Sequence, residues 1–223
     1  MFNFGGGMLT GSEIRKQIAK ENIMIRPFDP SRLNPNSYNL RLHPQLLIYK
    51  RGSIVNRSSI VPTTRTVDIN TGKHILTLTE KDRIKECGYL ENFQLDPIDM
   101  NAENETIEFT IPEEGYVLQP GVLYIGRTVE RTSSDKFIPM INGRSSGGRL
   151  GISIHVCAGF GDVGFDGTWT LEITCVEPVI IYPYTEVAQV CYFKPYGKID
   201  KLYRGRYFGQ VDATASRFWK PKK

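Results

Sequence analysis

The spacing of apolar residues changes twice along this chain. Thr10-Gly11-Ser12-Glu13 has the spacing of a capping box, and Ile14 and Ile18 then share one face, which predicts a short N-terminal helix over residues 13–21. After Pro27 the period becomes two: Tyr38-Asn39-Leu40-Arg41-Leu42 alternates, and Leu46-Leu47-Ile48-Tyr49 reads as a more buried strand. Further strands are predicted at residues 75–78, 106–111, 116–118, 123–128, 151–156, 168–175, 179–182 and 187–193. In Gln119-Pro120-Gly121, proline followed by glycine suits the centre of a type II turn between two of them. About a dozen short strands with turn signals between them indicate a β-sandwich or barrel, not a parallel α/β sheet. Residues 80–105 are polar and weakly patterned and read as a surface insertion. With no composition break and no repeat, residues 1–223 are expected to form a single domain.

Composition narrows the class. Of 223 residues, 40% are hydrophobic and 23% charged, an ordinary globular mixture that excludes collagen-like, disordered and coiled-coil chains. No apolar run approaches the roughly 20 residues needed to span a bilayer. The opening Met1-Phe2-Asn3-Phe4-Gly5 lacks the basic and apolar regions of a secretory signal. The expectation is a cytoplasmic protein with no membrane partner. The formal charge of +4 is spread along the chain, so no nucleic-acid face is expected. The one local excess, Lys198, Lys201, Arg204, Arg206, Arg217, Lys220, Lys222 and Lys223 against Asp200 and Asp212, is either a solvated tail or a holder of an anionic ligand. Cys87, Cys157, Cys175 and Cys191 form no CxxC pair and read as reduced thiols.

Several site types are absent: there is no P-loop GxxxxGK[ST], no dinucleotide fingerprint, no GxSxG elbow and no HxE…PCxxC zinc-deaminase pattern. His43 and His74 stand alone, and His155 reads as structural or positioning. The densest chemistry runs from Gly143 to Thr174. Arg144-Ser145-Ser146-Gly147-Gly148-Arg149 gathers two guanidinium groups and two hydroxyls around flexible glycines, donors suited to phosphate oxygens. Asp162 sits in a glycine-rich loop, where aspartate is usually a turn former. Glu172 stands in a stretch of strong β propensity where glutamate is disfavoured, and a half-buried carboxylate is costly unless paired or used.

The run Gly143-Arg144-Ser145-Ser146 to Leu150-Gly151, followed by Ala158-Gly159-Phe160-Gly161-Asp162-Val163-Gly164-Phe165 and Trp169-Thr170-Leu171-Glu172, resembles the signature of the dCTP deaminase and dUTPase superfamily. Ser37-Tyr38-Asn39-Leu40 is similar to its N-terminal S-Y-D-hydrophobic strand, and Leu118-Gln119-Pro120-Gly121 to its central turn. Tyr196-Gly197, Arg206-Tyr207-Phe208-Gly209-Gln210 and Ala215-Ser216-Arg217 are similar to its closing C-terminal lid, here residues 196–223. The resemblance implies a mainly β, dUTPase-like β-barrel or jelly-roll (β-clip) fold, assembled as a homotrimer with active sites between subunits. Stand-alone dUTPases carry Tyr three residues after the loop Asp and an aliphatic residue in place of the Glu. Phe165 and Glu172 therefore point to the deaminase branch, whose members work without zinc.

On that resemblance, Glu172 is the general base for water attacking C4 of cytosine, Arg149 supports charge during attack, and Ser145 completes the catalytic set. Arg144, Ser146, Val156, Ala158, Asp162, Phe165, Tyr196, Arg206 and Gln210 bind substrate, with Mg²⁺ carried by the triphosphate. The expected activity is deamination of dCTP to dUTP and ammonia, with dTTP a possible inhibitor. The alternative is a bifunctional enzyme that also releases pyrophosphate to give dUMP, with Asp162 activating a second water. A non-catalytic nucleotide-binding protein would be expected to have lost Glu172, Asp162 or the lid. Among the departures, Gly161 replaces the usual Ile and would loosen its turn, and Gly147-Gly148 replaces a more usual Leu-Ala or Leu-Gly.

Overall fold

The computed structural model describes residues 6–50, 97–156 and 159–221, with the backbone of 66–67 and 74–75. In chain order the elements are β1 (Gly7–Met8), α1 (Gly11–Ala19), β2 (Met24–Arg26), β3 (Tyr38–Arg41), β4 (Gln45–Tyr49), β5 (Thr66–Val67), β6 (His74–Ile75), β7 (Thr106–Thr110), β8 (Tyr116–Leu118) and β9 (Tyr124–Ser133). They continue with β10 (Ile138–Gly143), α2 (Ser145–Arg149), β11 (Ile152–Ser153), β12 (Asp166–Cys175), β13 (Val179–Ile181) and β14 (Glu186–Lys194). The chain is mainly β.

Thr10 caps the helix as expected, its Oγ1 accepting the Glu13 N–H at 3.3 Å, but the Glu13 carboxylate turns to Gln17 and Lys16, so the reciprocal half of the capping box does not form; Ile14 of α1 is fully buried. Every strand pairing is antiparallel among the described residues. One sheet runs β11-β12-β9-β4-β7 with β2 also on β9, and a second runs β1-β14-β10 with β3 also on β14. Pairs β13-β8 and β5-β6 stand apart. The core between the strands is built from Tyr38, Leu40, Leu46, Tyr124, Leu171, Ile173 and Val190.

The chain divides into two compact units, one of Met1–Tyr49 with Met100–Lys223 and one of Lys50–Asp99. The β5-β6 pair is the regular structure described in the second unit. Residues 80–96 of the expected insertion lie outside the described residues, as do 76–78 of the strand expected at 75–78.

One expected strand is shortened, and two elements appear that were not expected. The strand expected at 151–156 is confined to Ile152–Ser153, and His155 lies in the loop beyond it, with Nε2 3.3 Å from Asn142 Oδ1. Residues 145–149 of the donor-rich Arg144–Arg149 stretch, for which no element was predicted, form the short helix α2. β10, which the apolar pattern did not predict, pairs along its whole length with β14.

The long strands β9 and β12 form the framework of the site. Their register shifts between Thr168, opposite Arg131, and Thr170, opposite Arg127, which leaves a bulge in β9. Buried Glu130 sits in that bulge, with its carboxylate accepting both the Arg41 N–H at 2.8 Å and Arg41 Nε at 2.7 Å. Thr128 Oγ1 donates to Glu130 O at 2.7 Å and accepts from Trp169 N at 3.0 Å, so the bulge is closed on itself and bonded to β12.

Candidate active site

β12 alternates as a strand buried on one face should. Trp169, Leu171 and Ile173 point into the core, so Thr170 and Glu172 face the other way. That face forms one wall of a cavity of about 570 Å³, within the range usual for small-molecule sites. Glu172 is held on both sides: its N–H donates to Ile154 O at 2.9 Å and its Oε2 accepts from Val156 N at 2.9 Å. Oε1 takes no hydrogen bond among the described residues.

The loop carrying Asp162 is tied to β10 through Gly159 O, which accepts from Ile141 N at 2.7 Å, and through Gly161 N, which donates to Pro139 O at 2.9 Å. Contrary to the expectation of a loosened turn, Gly161 is buried, and a Cβ there would collide with the Trp169 ring and Pro139. The glycine therefore makes room for the indole, whose Nε1 donates to Thr132 Oγ1 at 2.9 Å. Phe165 packs on Trp169 with centroids 4.6 Å apart and on Tyr203 at 6.2 Å, making an aromatic wall. Gly164 closes the turn at φ +90° and donates to Ser134 O at 2.8 Å.

The C-terminal segment closes the cavity in cis. Tyr203 N donates to Val163 O, and Gly209 N to Asp166 O, each at 2.8 Å. Thr168 N donates to Gln210 O at 3.0 Å, and Gln210 Nε2 returns a bond to Thr168 O at 2.8 Å. Further along, Ala213 N donates to Gln45 Oε1 at 3.1 Å and Ser216 N to Tyr49 Oη at 3.1 Å. Arg127 stands beneath this clamp: its NH2 lies 2.7 Å from His43 Nε2 and 3.9 Å from Asp212 Oδ1. Burial, aided by Arg127 and opposed by Asp212, holds the His43 imidazole below its ordinary value.

The predicted residues separate into two groups. Val156, Asp162, Phe165, Glu172 and Gln210 line the cavity together. Arg144, Ser145, Ser146 and Arg149 do not line it. Ser145, Ser146 and Arg149 lie on α2 at the surface, and Arg144 is held by Glu186, whose Oε2 accepts from NH1 at 2.8 Å. A Cβ at Gly147 or Gly148 would meet nothing, so this surface is open. Tyr196 is 93% exposed and does not line the cavity. Arg206 is also outside the lining, and its Nε is buried without a hydrogen-bond partner. Ala158 and Cys157 lie outside the described residues.

Sequence reasoning missed Thr170, Tyr203 and Tyr207, which also line the cavity. Thr170 was within reach, because it precedes Glu172 by two on an alternating strand. Its Oγ1 and the Gln210 Oε1 are both buried with no hydrogen-bond partner. They are polar groups left for a ligand or water to satisfy. Among the described residues no three His, Cys, Asp or Glu side chains gather as metal ligands, and no helix is long and apolar enough to cross a membrane.

Residues 8–79 and 66–194 match the family model described as dCTP deaminase-like. The chain belongs to that family. A curated relative from Hathewaya histolytica, named dCTP deaminase, dUMP-forming, is 39% identical over 96% of this chain and 98% of its own length. Another of the same name, from Clostridium botulinum strain Alaska E43, is 43% identical over 90% of each chain. A third, from Cytophaga hutchinsonii, is 40% identical over 90% of each chain. Among solved structures, a 2'-deoxycytidine 5'-triphosphate deaminase from Agrobacterium tumefaciens aligns with TM-score 0.49 and 20% identity, over 85% of this chain and 47% of that one.

Proposed function

We propose that this chain deaminates dCTP and then hydrolyses the product's triphosphate to dUMP and pyrophosphate. The observation carrying this reading is that two carboxylates, Glu172 and Asp162, share one cavity with an aromatic wall and two unbonded polar atoms. The curated relatives named dUMP-forming favour the dUMP product, which the sequence reading ranked second, over dUTP. The cavity carboxylate at Glu172 supports the first step. Its unbonded Oε1 takes a proton from water as the oxygen attacks C4, and the proton passes on to the amino group, which leaves as ammonia. Asp162 then activates a second water against the α-phosphorus, breaking the α–β bridge and releasing pyrophosphate.

Gln210 Oε1 can only accept a hydrogen bond, because its amide nitrogen is committed to Thr168 O. It therefore suits a sugar hydroxyl or an amino donor. Arg144, Ser145 and Ser146 bind the phosphates, with Mg²⁺ arriving as part of the substrate, and Arg149 beside them supports charge during the attack. That this cradle does not line its own chain's cavity supports a homotrimer in which a neighbouring subunit supplies it.

The test is product analysis after incubating the full chain with dCTP and Mg²⁺, with parallel detection of ammonia and pyrophosphate. Equal release of ammonia, dUMP and pyrophosphate is expected. Accumulating dUTP would confine the activity to the first step, and unchanged dCTP would overturn the reading.

A further inference from the structure

The cradle residue Arg144 does not stand alone. β14 begins at Glu186, opposite Arg41, and its register with β3 shifts before Ala188 pairs with Leu40. That irregularity turns the Glu186 side chain toward a cluster of donors. Oε2 accepts from Arg144 NH1 at 2.8 Å and from Asn39 Nδ2 at 2.8 Å, while Oε1 lies 3.4 Å from Arg32 Nε. The Glu186 carbonyl accepts from the same Arg144 NH1 at 3.1 Å. Asn39 is oriented in turn, because its Oδ1 accepts from Asn34 Nδ2 at 2.6 Å, leaving its NH₂ to face Glu186. Arg32 is balanced from its far side by Asp29, 3.1 Å away.

We infer that Glu186 is a positioning residue for the phosphate cradle, resting on the reading above that Arg144 binds the triphosphate. Glu186 grips one guanidinium nitrogen, twice, and so fixes the plane of the group. The Nε and NH2 of Arg144 carry no hydrogen bond among the described residues, which leaves the other edge of the fork for a bidentate phosphate contact. Two donors hydrogen-bond the carboxylate, and Arg32 adds a charge contact at 3.4 Å without a hydrogen bond. An amide there offers one acceptor oxygen and turns its NH₂ toward a cation, so glutamine does not reproduce the arrangement. A different role makes the opposite prediction. If Glu186 were only a charge near the phosphates, removing it would relieve repulsion and tighten binding.

The test compares the full-length wild type with Glu186→Gln and Glu186→Asp, by titration calorimetry with sodium tripolyphosphate and by steady-state kinetics on dCTP. Glu186→Gln is expected to weaken tripolyphosphate binding and raise KM for dCTP by about tenfold each, with kcat within about twofold. Glu186→Asp, which keeps the charge, is expected to recover part of the loss and serves as the informative variant if the glutamine form does not fold. Unchanged or tighter tripolyphosphate binding in Glu186→Gln would overturn the inference. A lowered melting temperature with unchanged KM would overturn it too. If the wild type binds tripolyphosphate, Glu186→Gln weakens that binding, and neither protein turns over dCTP, the deaminase reading fails while the positioning role stands.

Discussion

Leu171 and Glu172 are adjacent on β12 and face opposite ways, one fully buried in the core and the other on the cavity wall. Replacing Leu171 by Ala is expected to cost about 2–5 kcal/mol of stability, read by chemical denaturation, because it leaves a cavity in the core. Glu172→Gln is expected to lower deamination by about 10²–10⁴-fold while nucleotide binding, followed by calorimetry, persists. The contrast was legible beforehand, since glutamate is out of place in such a strand. Thr170 could have been read from its place two residues before Glu172 on an alternating strand, whereas Tyr203 was not legible as a site residue, because tyrosine is ordinary in strands and tails. Glu186 was equally silent: its partner Arg144 is 42 positions away, a proximity that only strand pairing creates. At His43, burial and Arg127 hold the folded-state pKa below the unfolded value of about 6.5. The unfolded chain therefore binds the extra proton first. The stability contributed by neutral His43 is complete above that pH and is lost as pH falls from there toward the folded value. Melting temperatures from pH 7.5 down to 5.5 should decline more steeply for the wild type than for His43→Gln.

At the scale of elements, the turn at Gln119-Pro120-Gly121 was readable from composition, and Gly121 adopts φ +76° as a type II turn requires. α1 was readable from its cap. β10 was not, because Pro139 and Asn142 break its apolar pattern, and only β14 alongside gives it an identity. α2 was hidden for a related reason: Ser-Ser-Gly-Gly has poor helix propensity, and those residues by themselves read as a turn. The 162–165 turn is sensitive to a single change. At Gly164 a Cβ would lie 2.6 Å from Leu202 Cβ and 2.9 Å from Tyr203 N, at a φ that L-residues rarely adopt. Gly164→Ala is expected to cost about 1–3 kcal/mol and to loosen the C-terminal segment. Its signature is faster proteolysis after residue 200 and reduced turnover, with the core strands still protected from hydrogen exchange.

For the whole molecule, the mainly β architecture followed from strand spacing alone, whereas the exclusion of residues 144–149 from the cavity lining did not, because motif order along the chain does not show which segments the fold brings together. If neighbouring subunits share sites, Glu172→Gln and Arg149→Ala chains, each inactive alone, should complement when mixed under conditions that exchange subunits. Random assembly of two chains per site gives about a quarter of wild-type activity. A mixture with no recovered activity, or a light-scattering mass equal to one chain, would rule out shared sites.

The main-chain bonds from Gly209 and Gln210 to Asp166 and Thr168 also occupy hydrogen-bonding groups that would otherwise project from the outer margin of β12. Ile154 occupies the same margin farther along, at Glu172. On the proposed function, release of nucleotide would lift this tail and leave a stretch of that strand bare, in the configuration through which proteins stack into fibrils. Saturating nucleotide is then expected to lengthen the shelf life of concentrated protein, read as slower aggregation by light scattering.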